Sequence, residues 1–504
     1  MVVADKTKKI IVESPWSGES LDEVPISTNE EVEREIKKMK RSFKANGLSL
    51  RERIEIAKKF GNYLEKNAQE YARLVAMETG MPISHVEARL KIAYDKWKGV
   101  EDYLRNVFGD EYEKILSEEW TLVETSKNGR HYVRKLPKGV YLFLPANTDP
   151  MGTIHHLLDF ILANNRVVVK PGTRAPLSTI MAVEDMKKFG LEDYITYVIG
   201  SGEEILDTAL NSNYLDGVFF IGRSEHGRKI QARCAEKGIH YMGDYEGNNF
   251  MFILNDVCSD DKKLELAVSD FTSLSTFFNG LACTAIKACS PEENYERFKE
   301  YLMHQAEIIN EHIGDPTERS TLLGPLISPK LVDECLYSVE DALRRNGKII
   351  IGGKPIRNPN TGKYNIMPYT ILEDIGEGAY ILYTETPGPV VWIERDFKKM
   401  KRRGVKNEER WKDERLGRNG LRYIIATEDE ERMREFAKRY RTAFITKRAT
   451  DVDPIWMWGG SGKTSTFGGA EFLIKECMDT QTLYDTDDFL ELLYGWHEVM
   501  RKNK

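Results

Sequence analysis

The chain has 504 residues, 41% of them hydrophobic, and a formal net charge of −7 at pH 7. This length exceeds what a single hydrophobic core supports, so we expect two or three domains. The mild negative charge disfavours a dedicated nucleic-acid-binding protein, and no apolar run is long enough to cross a bilayer or to form a signal peptide. The sequence therefore predicts a globular, cytoplasmic protein with neither a membrane nor a nucleic acid as partner.

The amino-terminal 115 residues are predicted to be mainly helical. Thr28 to Glu31 and Ser49 to Glu52 each match a capping box, in which a Thr or Ser side chain and a Glu side chain bond the free N–H groups of a first helical turn. Apolar residues follow both boxes at helical spacing. Two of the helices are therefore expected to begin at these positions.

Residues 120–135 predict a β-hairpin, because Asn128-Gly129 separates two segments of alternating polar and apolar residues. A projecting hairpin leaves unpaired strand edges, and such edges tend to pair with another strand. The hairpin is therefore a candidate for contact with a second copy of the chain.

From Gly139 onward, apolar strands alternate with segments of helical length. Such alternation predicts a parallel, doubly wound α/β sheet. A second alternating region extends from about residue 260 to 445. The predicted strands of the first region are 140–144, 166–170, 194–199, 217–221 and 250–254.

Cys283 lies in the segment Phe-Phe-Asn-Gly-Leu-Ala-Cys-Thr-Ala and is a candidate covalent nucleophile. A thiolate is a strong nucleophile, and the nearby Gly280 allows a reacting carbonyl to approach closely. By itself, a single cysteine is more often a small core residue. The six cysteines and nine histidines show no CxxC pair and no zinc spacing, so neither a disulfide scaffold nor a metal site is predicted.

Further motifs surround this cysteine in a fixed order. They are Met-Glu-Thr-Gly-Met-Pro (77–82), Leu-Pro-Ala-Asn-Thr-Asp-Pro (144–150), Val-Val-Val-Lys-Pro-Gly-Thr (167–173), Phe-Ile-Gly-Arg-Ser-Glu-His-Gly (220–227), Gly-Asp-Tyr-Glu-Gly-Asn-Asn (243–249), the cysteine segment (279–284) and Glu-Thr-Pro-Gly-Pro (385–389). Together these motifs resemble those of the aldehyde dehydrogenase superfamily over most of the chain.

The resemblance implies a set of catalytic residues. Cys283 would be the nucleophile, and Asn147 would donate a hydrogen bond to the developing oxyanion. Asp244 stands where hydrolytic members of the family carry a general-base glutamate. The implied reaction is the oxidation of an aldehyde to a carboxylic acid through a thiohemiacetal and a thioester on Cys283.

The same resemblance implies a nicotinamide cofactor, NADP or NAD. Thr173 stands where relatives that prefer NAD often carry a glutamate, and Lys170 and Arg174 could bond a 2′-phosphate. Acceptance of NADP is therefore expected. The residues implied to bind the cofactor are Lys170, Thr173, Arg174, Gly222, Gly227 and Glu385.

Three departures from the family pattern leave alternatives open. Asp244 is one methylene shorter than glutamate, Pro387 replaces a phenylalanine, and a charged stretch from Arg395 to Arg418 is inserted. A coenzyme A-acylating reductase of the same superfamily is the first alternative, with coenzyme A as a second substrate. A non-catalytic binding protein of the same shape is the second alternative.

The expected architecture is α/β with three parts. A dinucleotide-binding parallel-sheet domain spans residues 1–118 and 137–255, and a catalytic α/β domain spans residues 256–468. A small β element for oligomerisation combines residues 119–136 and 469–504. The resemblance and the exposed hairpin edge together predict a homodimer or homotetramer that acts on a small-molecule aldehyde.

Overall fold

Four β-sheets are present in the computed structural model, which describes residues 8–45, 47–126, 129–408, 419–448, 460, 464–467, 472–485 and 498–502. Helices pack against both large sheets and enclose the main hydrophobic cores. Within the described residues, no helix is both long and apolar enough to traverse a bilayer.

The amino-terminal part begins with two antiparallel strands, β1 (Lys9–Glu13) and β2 (Ser20–Pro25). The predicted capping boxes are confirmed at the first two helices of this part. Its helices are α1 (Asn29–Lys44), α2 (Leu50–Lys66), α3 (Ala68–Thr79), α4 (Ile83–Lys98), α5 (Val100–Phe108) and α6 (Tyr112–Leu116).

The predicted hairpin forms from β3 (Thr121–Ser126) and β4 (Gly129–Pro137), which pair antiparallel. Its expected turn residue, Asn128, lies outside the described residues.

The next strands form a five-stranded parallel sheet of order β7-β6-β5-β8-β9. The order reverses between β5 and β8, and ligands of such sheets bind outside the carboxyl ends of the strands at this reversal. The strands are β5 (Val140–Leu144), β6 (Arg166–Val169), β7 (Ile195–Tyr197), β8 (Gly217–Ile221) and β9 (His240–Asp244). The helices are α7 (Pro150–Leu162), α8 (Leu177–Met186), α9 (Gly202–Asn211) and α10 (Ser224–Glu236).

The second large sheet has seven strands in the order β12-β13-β14-β11-β10-β15-β16, and only β12 pairs antiparallel with its neighbour. Its strands are β10 (Asn249–Ile253), β11 (Ile286–Pro291), β12 (Lys348–Ile351), β13 (Thr370–Glu373), β14 (Val390–Ile393), β15 (Arg422–Ala426) and β16 (Phe444–Thr446). Its helices are α11 (Asn255–Cys258), α12 (Asp261–Gly280), α13 (Tyr295–Glu311), α14 (Pro329–Arg344), α15 (Phe397–Glu408) and α16 (Glu430–Ala437).

Strand β10 belongs to the second sheet, because it pairs with β11 and β15. The expected boundary at residue 255 assigns this strand to the first domain instead. Its continuous apolar sequence fits the interior of either parallel sheet, so the pattern alone cannot assign it to one of them. The division into domains stays a prediction.

The chain then returns to the hairpin through α17 (Leu473–Glu476) and β17 (Met478–Asp485). β17 pairs antiparallel with β4 along its whole length, from Met478 opposite Pro137 to Asp485 opposite Arg130. Residues near 130 and near 480 therefore form one three-stranded sheet.

Candidate active site

A constrained loop presents Cys283. The backbone of α12 leaves helical geometry at residues 277–279, and Phe278 and Asn279 both have a φ of 55°. Gly280 follows with a φ of 73°, and a Cβ there would lie 2.4 Å from the carbonyl oxygen of Gly388. Strain of this kind concentrates at functional sites. The loop therefore needs glycine at position 280 and brings the cysteine segment against residues 385–389.

Asn279 anchors this loop. Its Nδ2 donates to the Gly80 carbonyl oxygen at 2.9 Å, and its Oδ1 accepts from the Gly324 N–H at 2.9 Å. These bonds explain the motif at residues 77–82, whose Gly80 carbonyl lies between α3 and α4. The amino-terminal helices thus hold the cysteine loop in position.

Lys287 joins the same loop to the Glu385 segment. Its Nζ is buried and donates to the carbonyl oxygens of Gly280, at 2.6 Å, and of Gly388, at 2.8 Å. Sequence reasoning missed this residue. A lysine inside the buried strand β11 was the signal that could have revealed it, since buried lysines require partners.

Residue Cys283 is partly exposed, whereas the other five cysteines are buried; all six lie in the described chain as free thiols. Burial of the sulfur raises the pKa of Cys283 well above its ordinary value, and the charges of Asp244 and Glu385 raise it further. The Cys283 thiol is therefore neutral at rest and would have to lose its proton before acting as a nucleophile.

Asp244 ends strand β9 and is only 2% exposed. Its Oδ1 has no hydrogen-bond partner among the described residues. Burial raises the pKa of Asp244 well above its ordinary value, and the charge of Glu246 adds to this rise. A buried, unpaired carboxyl group whose charge acts on the nucleophile is a candidate acid or base.

Glu246, two residues after Asp244, is bonded to Ser224. Its two carboxylate oxygens accept from the backbone N–H and the hydroxyl of Ser224, at 2.6 Å each. Ser224 begins α10, so Glu246 caps the amino end of that helix. Both carboxylate oxygens of Glu246 are therefore occupied by Ser224, and Glu246 is not available as a base beside Asp244.

Glu385 accepts from the Gly247 N–H at 3.1 Å. Burial raises the pKa of Glu385 to about 8, and the neighbouring charge of Lys287 opposes that rise. Glu385, Asp244 and Cys283 come from segments more than 30 residues apart in sequence, and each carboxyl group acts on the thiol. The structure thus brings these three predicted site residues together.

Asn147 lies against the loop that follows β6. Its Oδ1 accepts from the Arg174 N–H at 3.1 Å. In the same loop, Lys170 is 7% exposed and its Nζ donates to the Thr173 hydroxyl at 2.9 Å. Burial lowers the pKa of Lys170 to about 8. Four predicted residues therefore share the carboxyl edge of the first sheet.

Gly222 and Gly227 flank the start of α10. The Gly222 N–H donates to the Asp244 carbonyl oxygen at 3.0 Å, which joins the ends of β8 and β9. At Gly227, a Cβ would lie 2.1 Å from the ring of Tyr245. In this structure, Gly227 allows Tyr245 to pack closely on the helix.

The sequence model of the Aldehyde dehydrogenase family matches residues 2–483. The chain belongs to this family. Glutarate-semialdehyde dehydrogenase of Pseudomonas putida is 26% identical to it over 392 residues, 77% of each chain. The NADP(+) succinate-semialdehyde dehydrogenase of Escherichia coli is 27% identical over 394 residues, again 77% of each chain.

Solved structures of similar fold include an NADP-dependent enzyme of Escherichia coli, with a TM-score of 0.84 at 20% identity over 96% of this chain and 95% of that chain. Glyceraldehyde-3-phosphate dehydrogenase of Methanocaldococcus jannaschii, solved with NADP, gives a TM-score of 0.81 at 20% identity over 95% and 100% of the two chains. The predicted α/β fold and the predicted class of NAD(P)-dependent aldehyde dehydrogenase are confirmed.

In this aldehyde dehydrogenase, sequence reasoning also missed an ion pair near Cys283. Arg89 of α4 donates from Nε to Asp149 Oδ2 at 3.0 Å. Asp149 also caps α7, where its Oδ1 accepts from the Gly152 N–H at 2.8 Å. The charge of Asp149 raises the pKa of Cys283 and that of Arg89 lowers it, so the pair lies within electrostatic range of the sulfur.

Proposed function

We propose that the Cys283 thiol releases its proton to solvent and that its sulfur then attacks the aldehyde carbon, forming a C–S bond while the carbonyl oxygen takes the electron pair. The thiohemiacetal then loses a hydride from the former aldehyde carbon and becomes a thioester. NAD(P), when bound, would accept this hydride. Water attacks the thioester carbon, the C–S bond breaks, and a carboxylic acid leaves while the thiol is restored.

The constrained loop is the observation that carries this proposal. It is clamped by Asn279 and Lys287 and presents a partly exposed cysteine beside buried carboxyl groups. A merely structural cysteine would need neither the run of positive φ angles nor the adjacent unpaired acid. Positioning of this kind is a main source of enzymatic rate enhancement.

Asp244 is proposed as the base that removes a proton from the attacking water. Its unpaired Oδ1 has a free lone pair for this bond, and its raised pKa places the carboxylate closer to the pH at which a base is most effective. The base is the carboxylate form of Asp244, which forms at a higher pH than in an ordinary aspartate because burial raises its pKa.

Asn147 is proposed as an oxyanion donor. Because its Oδ1 is bonded to the Arg174 N–H, the orientation of the amide is set and Nδ2 lies on the opposite edge of the group as a donor. Removal of one such donor typically costs about 10²- to 10³-fold in rate.

The carboxyl edge of the first sheet suits a dinucleotide, because its strand order reverses beside Asn147 and Gly222. Lys170, Thr173 and Arg174 would hold the adenosine ribose and a 2′-phosphate, and Glu385 would accept from the nicotinamide ribose hydroxyls. The named NADP enzymes among the similar proteins support acceptance of NADP.

We further propose that the chain is a cytoplasmic homodimer or homotetramer. The three-stranded sheet and its margin expose large apolar side chains: Trp120 is 39% exposed, Leu122 49% and Leu483 46%. Exposed apolar groups of this kind favour protein contacts. Sedimentation of wild type and Leu483→Lys tests the proposal, and a wild-type monomer at micromolar concentration would contradict it.

One assay tests the proposed reaction. Reduced cofactor and acid product are measured across an aldehyde panel, with NADP or NAD and with or without coenzyme A. We expect turnover without coenzyme A and an acid product. Turnover that requires coenzyme A and yields acyl-coenzyme A would support the acylating alternative, which the similar enzymes named above do not favour. Absence of turnover on all aldehydes would favour the binding-protein alternative.

A further inference from the structure

Arg89 has a buried side-chain nitrogen that makes no hydrogen bond within the described residues. The residue is 7% exposed, and Asp149 is bonded to its Nε. Its Nη2 is buried without a hydrogen-bond partner among the described residues. A buried guanidinium nitrogen without an acceptor is unfavourable, so an acceptor absent from the protein itself is indicated.

The free nitrogen lies over the start of α7. A Cβ at Gly152, in the first turn of that helix, would be 3.2 Å from Arg89 Nη2. The amino end of a helix carries partial positive charge, which favours an anion nearby. The first turn of α7 follows directly on the segment of Asn147, so this donor borders the proposed reaction centre.

His85 supplies a second unused polar atom, one helical turn before Arg89 on α4. Its Nδ1 is buried without a partner among the residues that the structure describes. Its ring lies 5.3 Å from that of Phe277, in the loop that leads to Cys283. Burial lowers the pKa of His85 to about 4, so the imidazole is neutral and can donate one hydrogen bond.

Another buried basic residue on this helix, Lys96, shows the contrast. Lys96 is also buried, but its Nζ bonds Asp159 at 2.7 Å and the fold thereby satisfies its charge. The ion pair with Asp159 therefore accounts for the burial of Lys96. Arg89 and His85 lie nearer the cysteine loop and keep unused polar atoms.

We propose that Arg89, assisted by His85, binds a carboxylate at the far end of the substrate, so that the enzyme oxidises aldehydes that are also carboxylic acids. This inference rests on the proposed function. A guanidinium binds a carboxylate through directed, charge-assisted hydrogen bonds. Asp149 already compensates part of the positive charge, which favours a singly charged carboxylate over a doubly charged phosphate.

The test compares matched aldehydes that differ only in the acid group. Succinate semialdehyde is paired with butanal, and glutarate semialdehyde with pentanal. We expect wild type to favour the acid of at least one pair by tenfold or more in kcat/KM. Arg89→Gln should reduce that ratio by tenfold or more, mainly through the KM of the acid, because a charged hydrogen bond is lost.

Matched variants separate binding from folding. Arg53→Gln removes another buried guanidinium with unpartnered nitrogens, remote from the cysteine loop, and should leave the ratio within twofold of wild type. Arg89→Lys keeps the charge without the planar donors and should retain part of the preference. Should Arg89→Gln fail to fold, Arg89→Lys and the wild-type ratios decide the matter.

Two failures are distinguishable. If no aldehyde is oxidised, the proposed function is wrong. The carboxylate subsite is refuted if neutral aldehydes are oxidised as efficiently as their acids, or if Arg89→Gln lowers kcat/KM equally for both members of a pair. In either case the proposed aldehyde oxidation is still supported. A preference for a phosphorylated aldehyde over both acids would refute the carboxylate subsite as well.

Discussion

Glu246 caps helix α10 by accepting two hydrogen bonds from Ser224, each 2.6 Å long. The amino end of α10 also lies between Gly222 and Gly227, two residues expected to bind the cofactor. We expect the cofactor diphosphate to lie there, because N–H groups at helix starts bind anions. Two negative groups close to one helix end repel each other. The carboxylate of Glu246 is therefore expected to weaken dinucleotide binding.

Glu246→Gln should lower the dissociation constant of NADP, by about threefold, since it removes one charge and keeps a hydrogen-bonding side chain. Titration calorimetry measures this change. Glu225→Gln is the matched control, because Glu225 lies in the same helical turn but pairs with Lys229 in solvent. Equal effects of the two substitutions, or weaker binding by Glu246→Gln, would contradict the argument.

Cys283→Ala should abolish aldehyde oxidation while the melting temperature stays close to that of wild type. Cys289→Ala is the control, because Cys289 is a buried residue of β11 and its replacement should cost only about 1 kcal/mol of stability. Mass spectrometry of acid-quenched wild type should detect the acyl-enzyme on Cys283. Retained turnover in Cys283→Ala would exclude covalent catalysis by this residue.

Asp244→Asn should lower steady-state turnover by about 10²- to 10⁴-fold while a burst of reduced cofactor remains. The burst persists because acylation precedes the step that needs the base. Stopped-flow absorbance at 340 nm measures both phases.

The pH profile gives a second measurement on Asp244. The carboxylate forms only at a higher pH than in an ordinary aspartate, because burial raises the pKa. Deacylation in wild type should therefore accelerate as the pH rises through that pKa, and Asp244→Asn should lose this acceleration. Identical profiles in the two proteins would assign the base elsewhere.

Gly280→Ala should damage the active site more than an equivalent change elsewhere. Its φ of 73° disfavours a side chain, and its Cβ would meet the Gly388 carbonyl oxygen at 2.4 Å. Gly238→Ala is a matched control, since Gly238 has a φ of 66° and nothing lies within 4 Å of its Cβ.

The control should cost about 1 kcal/mol from backbone strain alone, and Gly280→Ala clearly more. Alkylation of Cys283 by iodoacetamide should also slow in Gly280→Ala. Denaturant unfolding compares the stabilities, and equal losses in the two variants would show that the contact with Gly388 is unimportant.

Arg174→Ala should reduce kcat/KM for NADP more than for NAD, by about tenfold in the ratio, if Arg174 bonds the 2′-phosphate. The ratio should also fall as the pH rises through about 8, because the lowered pKa of Lys170 means that its positive charge is lost there. Steady-state kinetics with both cofactors measure these ratios. A strong, pH-independent preference for NAD would refute the assignment.

The sequence by itself determined the helix starts, the type of sheet and the family. The two capping boxes form as predicted, because their bonds join residues three positions apart. The alternation of apolar strands and helices predicted a parallel α/β sheet, and the ordered motifs around Cys283 identified the family. These signals depend only on neighbouring residues or on their order along the chain.

Tertiary structure alone decided which distant groups meet. The pairs Arg89–Asp149 and Lys287–Gly388 are separated by 60 and 101 residues, so no local pattern predicts their contact. Packing also placed β10 in the second sheet, because a continuous apolar strand suits either one. Burial of Asp244 and the unused nitrogen of Arg89 depend on the same packing, which removes water from groups whose sequence context is ordinary.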